Sequence, residues 1–213
     1  MDTAAASPLP PYQGIALDHV KLVRTSDEAR AAMAALLAAD AIGFDTESKP
    51  TFVKGESSTG PHLIQLATDD IAYLFQVGAT PPLAELKAIL ESTTTLKVGF
   101  GLSDDVKRLR NKLGIVPAQV LDLSVALRGG QRNDLGAKTA VAKFFGLHLQ
   151  KSKKISTTNW ATSRLTEKQI LYAADDAQVA LRVYRRWIAD GGKVAPQKAS
   201  RASTLPATPP SPA

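Results

Sequence analysis

Three acidic sites occupy positions where a folded chain would be expected to bury apolar residues. The first is Phe44-Asp45-Thr46-Glu47-Ser48, at the end of a short apolar run. In an extended chain, residues two apart project from the same face, so Asp45 and Glu47 point the same way. Two such carboxylates repel unless a cation lies between them, and hard oxygen donors suit Mg²⁺ or Mn²⁺. A solvated strand end entering a loop is the plainer alternative. The second site is Gly99-Phe100-Gly101-Leu102-Ser103-Asp104-Asp105. Here Ser103 or Asp104 can cap a helix, with Asp105 favouring its dipole, or a carboxylate can face the same cation. The third is Tyr172-Ala173-Ala174-Asp175-Asp176. Tyr172 and Asp176 are four apart and share one helix face. Neighbours Ala173, Val179 and Ala180 imply partial burial for Asp176, where an unpaired charge is costly. A surface Tyr–Asp pair is the alternative.

These residues need elements to hold them. Thr25-Ser26-Asp27-Glu28 has the form of a capping box and opens an Ala/Leu-rich helix to about Ala39. Ala41 to Asp45 reads as a buried strand, and His62–Ala67 and Ile71–Val77 as two more around the turn Thr68-Asp69-Asp70. Pro81-Pro82 opens a helix to about Glu91, followed by a strand over Leu96–Phe100 and a helix over Asp104–Leu113. A strand near Gln119–Leu123 and a helix over Leu135–Phe145 come next. A second capping box, Thr166 with Gln169, heads a helix to about Ala189. Hairpin-linked strands followed by strand–helix alternation predict an α/β chain with a mixed sheet and helices packed on it.

Composition sets the outer limits. The chain has 213 residues, 44% hydrophobic and 22% charged, the balance of an ordinary globular domain. Nothing approaches the roughly 18 consecutive apolar residues of a membrane span, and the start lacks a secretory signal. With no cysteine, disulfides and thiolate metal sites are excluded. A cytoplasmic protein is the expectation. The net charge of +6 suits a polyanionic partner only mildly, because Lys193, Lys198 and Arg201 lie in a tail without acids. Residues 1–13 read as a flexible arm, 14–190 as the folded domain, and 191–213, with five prolines, as a disordered tail.

The combination is more specific than its parts. Asp-x-Glu on an early strand, Asp after a later strand, and Tyr-x-x-x-Asp on a late helix resemble the DEDDy 3′→5′ exonuclease superfamily. Ribonuclease D and the Werner-type exonuclease domain are its most similar branches. The resemblance extends to Leu63-Ile64-Gln65-Leu66-Ala67, to Gly99-Phe100-Gly101, and to Ser156 through Trp160 with Leu165-Thr166 and Gln169. It covers about residues 20–190, and Leu171 stands where the histidine variant of the superfamily would carry its histidine.

That resemblance implies a ribonuclease H-like fold, a mixed central β-sheet flanked by α-helices. It implies hydrolysis from the 3′ end of DNA or RNA, releasing nucleoside 5′-monophosphates with two divalent ions, Mg²⁺ or Mn²⁺. Asp45, Glu47, Asp105 and Asp176 become the metal carboxylates, with Asp45 bridging, and Tyr172 orients the attacking water. The motif spacing selects Asp176 over Asp175 and Asp105 over Asp104. The expected partner is nucleic acid with a free 3′ end. Phe52 and His62, flanking the loop 49–61, are candidate contacts to the terminal nucleotide. Lys153 and Lys154 are candidate phosphate contacts, preferred over Lys151 and over Lys107, Arg108, Arg110 and Lys112. Asn159-Trp160 is expected to hold its loop against the last helix. Competing readings are an oligoribonuclease-like hydrolase of short RNA and a catalytically inactive nucleic-acid-binding module on the same fold.

Overall fold

The computed structural model describes residues 8–51, 56, 58–78, 82–129 and 133–194. Phe52 lies outside them. Six strands form one sheet in the order β1-β4-β3-β2-β5-β6. They are β1 (Val20–Val23), β2 (Ala41–Glu47), β3 (Leu63–Ala67), β4 (Ala72–Gln76), β5 (Leu96–Gly99) and β6 (Val120–Asp122). The pairs β2–β3 and β3–β4 are antiparallel, whereas β1–β4, β2–β5 and β5–β6 are parallel, so the sheet is mixed as the pattern predicts.

Helices cover both faces. One face carries Ile42, Phe44, Ile64, Leu66, Tyr73 and Phe75, and it packs against α1 (Ser26–Leu37) and α2 (Leu83–Leu90). The other carries Leu63, Ala67, Ala72 and Leu74 against Ala173, Ala174 and Ala177 of α7 (Glu167–Ala189). Further along that face, α5 (Ala137–Phe145) packs beside α7 through Ala140 and Val141. The alternation is the period of two that any strand imposes on its side chains.

Small side chains let α7 lie close to the sheet. At Gly43, a Cβ would collide with the backbone carbonyl of Ala177, so glycine is what permits helix and strand to approach so closely. Both capping boxes form: Thr25 caps α1 with Glu28, and Thr166 caps α7 with Gln169. The helix expected over Asp104–Leu113 is instead α3 (Ser103–Arg108) followed by a π-helical turn to Leu113, ending at left-handed Gly114. The sequence pattern did not anticipate β1, a four-residue strand beside β4, nor the short helices α4 (Leu123–Ala126) and α6 (Lys153–Ser156). The N-terminal segment runs beside His148, where the His148 amide donates to the Pro10 carbonyl at 2.7 Å and the Tyr12 amide to the His148 carbonyl at 2.9 Å.

Candidate active site

The site lies at the carboxyl ends of β2 and β5, where α/β sheets ordinarily build their sites. Asp45 and Glu47 project from the end of β2 toward α7, and Asp176 meets them from the helix. One oxygen from each of the three lies within 4.8 Å of the others. The Asp45 carboxylate accepts from the Thr46 amide at 2.9 Å, which orients it. The neighbouring Asp175 turns elsewhere and accepts the Ile15 amide at 2.7 Å. Adjacent acids on one helix therefore have different partners.

Asp105 approaches from the first turn of α3. It accepts a hydrogen bond from the Thr46 hydroxyl and faces the Arg108 guanidinium at 3.4 Å. It stands outside the close trio but near enough for its charge to push up Asp45 and Glu47. The turn that delivers it is clamped by Asp122, whose carboxylate accepts the amides of Gly101, Leu102 and Ser124, each at 2.9 Å. Gly101 sits at φ 71°, a left-handed conformation that glycine adopts without strain. Sequence reading missed this role of Asp122, although an Asp two residues before Ser124, at a helix start, is the usual signal for a cap.

Burial dominates the electrostatics. Asp45 is held well above the ordinary carboxylate range by desolvation, then by the charges of Asp176, Asp105 and Glu47. Glu47 is pushed up to about 8 by burial and by Asp176. Asp176 rises only to about 6, since burial is opposed by the ammonium of Lys151. Such a set binds protons or cations avidly, because like charges this close cannot all remain ionised alone. Three carboxylates with no histidine or cysteine form a hard oxygen donor set, which fits Mg²⁺ or Mn²⁺ better than zinc. The Tyr172 hydroxyl is held protonated by burial and by the same carboxylates. It therefore remains a donor.

The other candidates separate. Lys151 Nζ lies 3.0 Å from Asp176 Oδ1 and 6.0 Å from the centre of the Tyr172 ring. Lys153 and Lys154, preferred from sequence, are exposed on α6. His62 Nδ1 accepts the Lys49 amide at 3.0 Å, and its Nε2 faces the Thr59 hydroxyl at 3.2 Å. Both ring nitrogens thus brace the neighbouring loop, and burial with the Lys49 charge keeps the imidazole neutral. Trp160 is buried, its indole N–H donating to the Ser156 carbonyl at 3.1 Å, and its ring packs 6.1 Å from that of Tyr172. Gln169 ties the same loop to α7 through Thr158 and the Asn159 carbonyl. A groove of about 540 Å³ opens beside Tyr172, lined in part by Lys138, His148, Lys151, Lys168 and Asp175.

Comparison with known proteins gives the family of the chain. The chain is 29% identical over 150 residues to the mouse (Mus musculus) bifunctional 3′–5′ exonuclease/ATP-dependent helicase WRN, covering 69% of this chain and 11% of that protein. It spans 51% of an Arabidopsis thaliana 3′–5′ exonuclease, to which it is 28% identical over 151 residues and 68% of its own length. The chain therefore spans less than two thirds of the length of these curated relatives. Among solved structures, it superimposes on the exonuclease domain of Aedes aegypti Nibbler with a TM-score of 0.68 at 27% identity, covering 81% of this chain and 88% of that one. Escherichia coli ribonuclease D gives a TM-score of 0.68 at 27% identity over 81% of this chain and 46% of the other. The fold is thus ribonuclease H-like, as the motifs led one to expect. A 3′–5′ exonuclease family model matches residues 20–187, and the chain belongs to that family.

Proposed function

We propose that this chain hydrolyses phosphodiester bonds one nucleotide at a time from the 3′ end of DNA or RNA, releasing nucleoside 5′-monophosphates. The supporting observation is the convergence of Asp45 and Glu47 from a strand with Asp176 from a distant helix, their oxygens within 4.8 Å of one another. Asp45, Glu47 and Asp176, with Asp105 behind them, would hold two divalent cations, Mg²⁺ or Mn²⁺. Such ions, when bound, supply an activated water and neutralise the phosphate and the leaving oxygen.

The chain's own residues set the geometry. The Tyr172 hydroxyl, kept protonated on a ring that packs against Trp160, orients the attacking water. Asp105, fixed by Thr46, Arg108 and the Asp122-clamped turn, would help to hold the ions. Lys138 and Lys168 in the basic groove beside Tyr172 meet phosphates upstream of the terminal bond, which makes binding salt-dependent. We assign the catalytic domain to 14–190 and, for a chain without cysteine, the cytoplasm as its compartment. Likeness to the Werner-type domain tilts the substrate toward DNA.

A labelled ladder assay on duplex DNA, single-stranded DNA, long RNA and dinucleotides, with Mg²⁺, Mn²⁺ or chelator, tests the reading. Stepwise shortening from the 3′ end should require metal and vanish in Asp176→Asn, with the variant still folded by circular dichroism. Full activity in Asp176→Asn would refute the assignment. Cleavage confined to dinucleotides would establish the short-RNA reading instead.

A further inference from the structure

The carboxylate trio has a cation of its own. Lys151 reaches in from the segment between α5 and α6, its ammonium 3.0 Å from Asp176 Oδ1. The Asp176 side chain is 7% exposed and that of Lys151 28%, so this pair is shielded from solvent, unlike most ion pairs among the described residues. The Tyr172 ring lies 6.0 Å from the same ammonium, within range of a cation–π attraction. The stem of the segment is anchored, because Leu149 is buried and the His148 backbone pairs with Pro10 and Tyr12. The lysine itself swings on a flexible four-carbon stem.

A carboxylate oxygen coordinating Mg²⁺ sits about 2.1 Å from the ion. An ammonium 3.0 Å from that same oxygen would then stand against a divalent cation, and the two repel. Lysine and metal compete for one charge locus. Lys151 also lines the groove with Lys138, Lys168 and Asp175, so its displaced ammonium has open space to move into there.

We propose that Lys151 is a built-in counter-cation of the site. It neutralises the carboxylate trio before metal arrives, gives way when the divalent ions load, and swings toward the substrate phosphates in the groove. The inference rests on the metal-centre reading above and adds a residue that sets the metal affinity.

The test compares Lys151→Met, Lys151→Arg and the wild-type full chain, free of nucleic acid. Mn²⁺ binding is followed by electron paramagnetic resonance, and thermal melting is recorded in chelator and in saturating Mn²⁺. Lys151→Met should bind Mn²⁺ about tenfold more tightly than wild type, because a competing charge has gone. It should melt lower than wild type in chelator, and Mn²⁺ should close most of that gap. Lys151→Arg keeps the charge and should stay within about twofold of wild type. Mn²⁺ affinity in Lys151→Met equal to or weaker than wild type overturns the proposal. Equal tightening in Lys151→Arg also overturns it, by tracing the effect to packing. If Lys151→Met does not fold in chelator, Lys151→Gln is judged by the same outcomes. A wild-type chain that binds no Mn²⁺ sinks the metal centre itself, a failure distinct from a normal wild type with an unaltered variant.

Discussion

The two faces of β2 do opposite work. On one, Ile42 and Phe44 are fully enclosed among the apolar side chains of α1, α2, β3 and β4. On the other, Gly43 admits α7 at close range, and Asp45 and Glu47 then meet Asp176 across the gap. The first face stabilises the fold by removing apolar surface from water. The second stores repulsion, with carboxylates held above their ordinary range by burial. A strand with a period of two can therefore carry a stabilising face and an acidic face on the same seven residues, with Thr46 at its end reaching across to Asp105.

The sharpest way to break this comparison is a pair of neighbouring substitutions. Asp45→Asn should lower exonuclease activity by on the order of 10⁴-fold, since several kcal/mol of charge stabilisation is lost. In chelator its melting temperature should hold or rise. A parallel loss of stability would show that Asp45 is structural. Phe44→Ala should do the reverse. Urea unfolding should record a loss of about 3–5 kcal/mol, while activity per folded molecule at low temperature stays within a few-fold of wild type.

Acidity provides a gentler test. Glu47 at about 8 and Asp176 at about 6 bind protons more tightly in the folded chain than in the unfolded one. Groups raised in this way add stability at low pH and lose it as pH climbs through the folded value. Between about pH 4.5 and about pH 8, stability in chelator should therefore fall. Saturating Mg²⁺ should flatten or reverse that slope, because metal takes the place of the protons. Denaturant midpoints measured across this range, with and without metal, would decide it, and a flat profile in chelator would rule out the stored repulsion.

The smallest expected effect separates two adjacent acids. Asp175→Asn keeps an oxygen for the Ile15 amide and removes a charge that burial disfavours, so stability should change by less than about 1 kcal/mol with activity unchanged. Asp176→Asn should spare the fold and remove activity. Equal losses of activity from both would mean that the helix places both side chains in the site.

Much of the site was legible in the chain because its signals are local. Asp45 and Glu47 follow an apolar run, and Tyr172 and Asp176 lie one helical turn apart behind a capping box that forms as expected. β1 was not legible. Its four residues, Val-Lys-Leu-Val, are too short for periodicity to register, and it becomes a strand by pairing with β4 some fifty residues away. The Asp122 clamp stayed hidden because its partners at Gly101 and Leu102 lie on another strand-to-helix turn.

The sequence by itself determined which acids and which tyrosine could share a face, and the helix and strands that carry them, while the class of chemistry came from the family those motifs resemble. These depend on side-chain type and on spacings of two and four, which the backbone converts directly into shared faces. Only the tertiary structure decided that Lys151, rather than Lys153 or Lys154, enters the carboxylate trio, that Asp105 stands behind it with Thr46, and that Asp175 turns to Ile15. Those choices depend on where separate elements pack against one another, and no local spacing encodes the distance between two elements.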